Sequence, residues 1–397
     1  MRRRPAAKGD PSATGGTGVT VPVTGAKWPY RRPRPQISVT EGVSLVTTLI
    51  WPTFVLFFPA FLAATAREDT WWVAGAGGIV ALLVALVLSG AAGRLPHLSL
   101  VDQAQLALGK WLGKALAILF CAGVTFLGVY AVRAGTDMVG LLMLPRTPPW
   151  AIILVIVGQG AIGAYYGLEV VTRTALVAFL SVGVVMLVIL PGLLMNFDAR
   201  LLQPVLSYGG KPLVFPLLAT GGFWAQVTVM GLCSQSFARP GYLRGAGLLG
   251  GVAAVLTGWL LVIVTQGAAG WYATSRHTLP LVEAIRSVRM FVPLLERVDV
   301  LVVIGWTMMG FAQVAYLLWA GSLGWARTLG LLDFRPLLPF LAVGVAVLAL
   351  TFPRDTPVLI DVWSGHLVPA VGWGLFALAT LVWVVAAVRG MKEEDGN

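Results

Sequence analysis

The chain has 397 residues, of which 57% are hydrophobic and 11% charged, against roughly a quarter charged in soluble domains. Its mean hydropathy of +0.84 leaves too little polar side chain to cover a water-facing surface. A soluble enzyme, a nucleic-acid module and a disordered chain are excluded, and the net charge of +11 reads as the cytoplasmic bias of a membrane protein.

Residues 1–35 carry Arg2, Arg3, Arg4, Lys8, Lys27, Arg31, Arg32 and Arg34 among Gly, Pro and Thr. No apolar stretch follows the basic one, so a signal peptide is not expected. The segment reads as a disordered basic tail near anionic headgroups on the cytoplasmic side. Residues 36–390 form a single membrane domain, and 391–397 a short cytoplasmic C-terminal tail.

A crossing needs about 20 apolar residues. That length gives ten candidate helices, at 43–65, 71–93, 115–144, 149–167, 170–195, 212–237, 243–272, 299–326, 337–353 and 367–389. The long continuous apolar runs are not the alternating pattern of a barrel. With both termini inside, most Lys and Arg fall on the cytoplasmic side, and acids nearly balance the outer ones.

In the first span Trp51-Pro52-Thr53 falls near the middle and Pro59 follows. Proline removes a backbone donor and frees a carbonyl that must be satisfied inside the membrane. Between spans two and three, Ser99 and Asp102 form a capping-box pattern. The stretch through Leu106, Trp111 and Leu112, with Lys110 and Lys114, reads as a helix along the interface. Within span three, Arg133 and Asp137 lie four apart on one face and can pair, either as a structural ion pair or as a gating element. Phe126 and Tyr130 lie on much the same face.

Span six carries Thr220-Gly221-Gly222-Phe223 at its centre, with Pro216 before it. A kink and a small-residue packing patch would explain these features one at a time. Interruptions in spans one and six of ten are instead the pattern of an inverted-repeat transporter with a midplane site. The segment 273–297 mixes charged and apolar residues, as an interfacial helix or a lid does. Thr307, Gln313 and Tyr316 are polar groups inside span eight. The two cysteines, Cys121 and Cys233, lie in apolar runs and read as packing residues, and the three histidines are far apart. No metal site, cofactor or catalytic constellation is expected.

Several stretches together resemble the GerAB-type spore germination proteins of the amino acid–polyamine–organocation superfamily, from about Gln36 to Arg389. They are Ser99-Leu100-Val101 with Leu108-Gly109-Lys110-Trp111-Leu112-Gly113-Lys114, then Arg133 with its acid and Leu144-Pro145. Gly167-Leu168-Glu169-Val170 with Arg173, and Asp333-Phe334-Arg335-Pro336, complete the set. The resemblance implies an all-α membrane protein with ten transmembrane helices in a LeuT-like 5+5 inverted repeat, helices 1 and 6 broken. It also implies the B-type subunit of a nutrient germinant receptor in the spore inner membrane, acting with A-type and C-type subunits. Where that family has Gly, Gly-Glu and Lys, this chain has Pro52, Ala225 and Gln313.

The expected binding residues for a small nutrient, an amino acid, are Trp51, Pro52, Thr53, Phe126, Tyr130, Thr220, Gly221, Gly222, Phe223 and Thr307. A secondary amino-acid transporter with proton or sodium coupling is the alternative, and a structural subunit with a vestigial pocket a third reading.

Overall fold

The computed structural model describes residues 20–21, 37–95, 98–287, 298–352 and 356–393. Most of the basic tail, His97, the end of the expected lid at 288–297 and residues 394–397 lie outside them. The order begins with β1 (Thr20–Val21), α1 (Val39–Ala66), α2 (Thr70–Arg94), α3 (Leu100–Leu108), α4 (Lys110–Leu142), α5 (Pro149–Tyr166) and α6 (Leu168–Met195). It continues with α7 (Val214–Trp224), α8 (Pro240–Arg276), α9 (Pro280–Ser287), α10 (Val298–Leu329), α11 (Leu338–Thr351), α12 (Thr356–Val358), α13 (Val368–Val388) and β2 (Lys392–Glu393). The two short strands pair in parallel and bring the two ends of the chain together.

Among the described residues, eight helical stretches are long and apolar enough to cross a membrane. One of them, Val39–Ala91, contains two of the expected spans around the Arg67–Asp69 turn. The expected ninth span, α11, has 14 residues, fewer than a full crossing needs. Burial sorts the stretches by environment. Along α6, Val177, Leu180, Val184 and Leu187 are exposed, the signature of a lipid-facing helix. In the stretch 211–236 every residue from 219 to 236 is buried, so this part lies inside the bundle, while Val214, Phe215 and Leu218 at its start are exposed.

Helix α1 begins at a reciprocal capping box between Ser38 and Glu41 and packs against α6, α8 and α10. Contrary to expectation it is not broken: it winds continuously over 28 residues through Pro52 and Pro59. A proline costs the helix one bond, but surrounding helices can hold the turn in place.

The expected interruption in span six also differs. Thr220, Gly221 and Gly222 are ordinary α-helix within α7, and the change comes later, where Ala225–Ser236 winds as a 3-10 helix of 12 residues. Runs of that type longer than three or four residues are uncommon. This one is held from outside: the Tyr316 hydroxyl donates to Val229 O at 3.1 Å, and Ser234 Oγ donates to Leu98 O at 2.9 Å.

The glycines serve packing. A Cβ on Gly372 of α13 would sit 1.8 Å from the Gly222 carbonyl oxygen, and one on Gly222 would sit 2.4 Å from Pro369 O. Backbone meets backbone there, and no side chain fits.

The interfacial helix is shorter than expected. Gly109, with φ 82°, ends α3, and Lys110 already opens α4, so Lys110–Lys114 belong to the third span. The capping box is present, with Ser99 Oγ donating to Asp102 Oδ2 at 2.8 Å and accepting from Asp102 N at 3.3 Å. Helix α3 lies between α2 and α4, and α9 holds the matching place between α8 and α10. Both cysteines are free and buried.

Two predictions follow from this packing. Gly372→Ala forces α7 from α13 and is expected to destabilise by about 1–3 kcal/mol. Gly344→Ala, where nothing lies within 4 Å of the new methyl, is expected to be neutral; thermal unfolding in detergent compares them. For Asp102, burial raises the carboxyl above its ordinary range, offset only in part by Arg327 and Ser99. Its contribution to stability is full below the unfolded pKa of about 3.9 and is lost as pH rises through the folded value. Asp102→Asn keeps a capping oxygen, so its midpoint is expected to gain on the native chain's as pH climbs above about 4. A pH-independent difference would contradict this.

Candidate functional site

The clearest cross-helix polar contacts of the core surround Pro52. Its ring leaves the Thr48 carbonyl without the usual amide donor. On the same stretch of α1, two further carbonyls take side-chain donors from α10. Trp306 Nε1 donates to Pro52 O at 2.8 Å, and Gln313 Nε2 donates to Leu49 O and, at 3.3 Å, to the Thr53 hydroxyl. Thr53 in turn donates to Ile50 O at 3.1 Å. Trp51 stacks on Trp306 with centroids 5.3 Å apart, while its own Nε1 is buried and meets no acceptor among the described residues.

Beside these contacts lies a narrow cavity of about 30 Å³. Pro52, Thr53 and Leu56 of α1, Ala134 and Met138 of α4, and Trp306, Thr307 and Gln313 of α10 line it. A water needs roughly 10–15 Å³ on this measure, so the space holds a water or two and not an amino acid. The helices are closed on each other here. Thr307, which lines the cavity, donates its hydroxyl to Val303 O at 2.6 Å.

The other expected residues divide into two groups elsewhere. Phe223 does not face an open pocket. It packs on Phe54 and Phe58 at 5.5 and 4.8 Å, and the neighbouring Trp224 lies 4.8 Å from Phe54. These rings fill the space between α1 and α7. Thr220 bonds Pro216 O, and Gly221 and Gly222 face α13 around Trp373 and Pro369.

Phe126 and Tyr130 of α4 meet a segment that the sequence reading did not single out, the π-helical stretch Leu359–Leu367. Phe126 stacks on Trp363 at 5.4 Å. Ser364 donates to Leu359 O at 3.0 Å, so the Tyr130 hydroxyl, 2.8 Å away, donates to Ser364. Gly365 sits where a Cβ would strike Phe61. Asp361, Ser364 and His366 in an otherwise apolar run were the available signal; π turns are frequent at functional sites.

Arg133 and Asp137 do pair. Arg133 Nη2 lies 3.0 Å from Asp137 Oδ1, and Nε donates to Oδ2 at 3.2 Å. The guanidinium is thus engaged along one edge by its own carboxylate, as a buried charge requires. The structure therefore brings Trp51, Pro52, Thr53 and Thr307 together. It places Phe126 and Tyr130 at a second contact, Arg133 and Asp137 at a third, and Thr220–Phe223 in packing. Trp306 and Gln313 are the additional polar members of the first group. Among the described residues no His, Cys, Asp or Glu cluster could hold a metal.

Solved structures share this fold. The solved transporter MhsT in complex with L-phenylalanine matches 91% of this chain and 94% of its own, with a TM-score of 0.65 at 12% identity. Mhp1, a nucleobase-cation-symport-1 family transporter with bromovinylhydantoin bound, matches at a TM-score of 0.59 and 15% identity, covering 84% of this chain and 78% of that one. At such identities the likeness shows the fold alone, that of the LeuT-like transporters.

By sequence, Spore germination protein A2 of Bacillus subtilis (strain 168) is 23% identical over 358 residues, 89% of this chain and 96% of that protein. Spore germination protein YndE of the same strain is 23% identical over 295 residues, 74% and 81% of the two chains. The family model for spore germination proteins matches residues 36–357. This multi-pass, LeuT-like membrane protein belongs to the spore germination protein family.

Proposed function

We propose that the chain is the B-type, nutrient-sensing subunit of a germinant receptor in the spore inner membrane, its termini cytoplasmic, working with A-type and C-type subunits. The nutrient is a small amine-bearing molecule, an amino acid. The observation that carries this reading is the clamp of Trp306 and Gln313 on the carbonyls of Pro52 and Leu49. Those carbonyls are acceptors, and an ammonium group is a donor that can take over from the two side chains. With a cavity of about 30 Å³, a guest enters only as α10 gives up its hold on α1. Binding and the movement of α1 against α10 are then one event, and a ligand that favours the parted arrangement shifts the population toward it. Partner subunits would read that displacement.

Transport by alternating access on the same fold is the second reading, favoured by the likeness to solved symporters. Uptake of a labelled amino acid by proteoliposomes holding this chain alone would establish it and displace the receptor reading.

The clamp makes two predictions for spores whose own copy of the gene is replaced. Trp306→Phe keeps an aromatic partner for Trp51 but loses the bond to Pro52 O. It weakens the closed arrangement by about 1 kcal/mol and is expected to lower the nutrient concentration for half-maximal germination about fivefold. Thr53→Val keeps shape but removes the hydroxyl that accepts from Gln313 in the same clamp, and is expected to shift the half-maximal concentration in the same direction, downward, at equal protein level. Unchanged dose–response curves in both variants would overturn this assignment of the site.

A further inference from the structure

A second cavity, of about 330 Å³, lies at the far end of α4, where it turns into α5. Unlike the cavity beside Pro52 it has the volume of a small-molecule site. Arg133, Thr136, Asp137 and Leu141 of α4, Thr147 of the connecting turn and Ile152 of α5 are among the residues lining it.

Its chemistry is set by Arg133, which is 2% exposed. The guanidinium has five N–H groups. Nε and Nη2 are engaged with Asp137 along one edge. Among the described residues Nη1 meets no acceptor, and it keeps access to the cavity. The side chain is otherwise buried, so this unused end is the part of the charged group that opens on the cavity and can meet a guest there. The unused end, Nη1 with the outer N–H of Nη2, matches the two oxygens of a carboxylate.

Asp137 completes the pattern. Each of its oxygens takes one bond from Arg133 and retains a further lone pair. A simple anion would gain from Arg133 but meet the Asp137 charge nearby. A molecule carrying both a carboxylate and an ammonium group satisfies the two ends together. Leu141 and Ile152 leave an apolar wall for its remaining body.

We propose that this cavity is a binding site for a zwitterionic amino acid with an apolar side chain. Its carboxylate docks on the free end of the Arg133 guanidinium and its ammonium group on Asp137. The site is distinct from the Pro52 clamp and stands whether or not that clamp senses a nutrient.

The test is equilibrium binding of labelled L-leucine to the full-length chain in lipid nanodiscs. Isovalerate and isoamylamine, which carry one charged group each, serve as competitors. Saturable leucine binding is expected, with each competitor at least about tenfold weaker. Arg133→Lys supplies a point charge that cannot serve Asp137 and a second carboxylate by two parallel bonds, and is expected to weaken leucine at least about tenfold. Asp137→Asn is expected to weaken leucine while sparing isovalerate.

Removing either charge alone could unfold the chain, so the decisive variant is the double substitution Arg133→Met with Asp137→Leu. It leaves no unpaired charge and is expected to keep the thermal midpoint and lose leucine binding. Leucine retained by the folded double variant, isovalerate binding as well as leucine, or no saturable binding to the native chain would each overturn the proposal. Because the readout is binding to purified protein, a missing germination phenotype at Thr53 counts against the clamp alone.

Discussion

Inside a bilayer no water is at hand to satisfy a peptide group that a helix leaves unpaired, and the arrangement of this protein turns on how that demand is met around Pro52. The proline makes α1 dependent on its neighbours. Beside the Thr48 carbonyl that the proline frees, Trp306 and Gln313 of α10 brace the same turn by donating to the carbonyls of Pro52 and Leu49. α1 is therefore a continuous helix whose central turn is tied to α10 by side chains from another part of the sequence. A tie of this kind is strong in a dry interior and is still exchangeable, since any donor of suitable shape can replace it.

The same demand explains the other half of the bundle. The 3-10 stretch Ala225–Ser236 is a poorer helix than α7, and it persists because α10 and the Leu98 turn satisfy its polar groups from outside. Around it the space is filled by aromatic rings, Phe54, Phe58, Phe223 and Trp224, and by the backbone contact of Gly222 with Gly372. The bundle is thus rigid where α7 meets α13 and exchangeable where α1 meets α10. On the function proposed above, that contrast gives a ligand a defined pair of elements to separate.

Much of this was legible from residues alone. Apolar run lengths locate the membrane helices within a few residues, because hydrocarbon thickness sets their length. Ser99 with Asp102 announces α3, since a capping box is a local interaction. Arg133 with Asp137 announces an ion pair, since four residues is one helical turn. The interruptions were misread for an equally physical reason. Proline and glycine report a loss of local helix preference, and neighbours decide what becomes of it. Pro52 stays wound because α10 supports its turn, and Gly221–Gly222 stays wound because α13 needs the room.

Composition and periodicity by themselves determined a helical membrane protein and the polar residues its core would have to accommodate, since both follow from chemistry that each segment carries alone. Only the tertiary structure decided that Trp306 and Gln313 serve α1, that Tyr130 meets a π turn at Ser364, and that one end of Arg133 is left over. These pairings join residues 230 or more positions apart or depend on the shape of a cavity. No local preference encodes which helix will stand beside which.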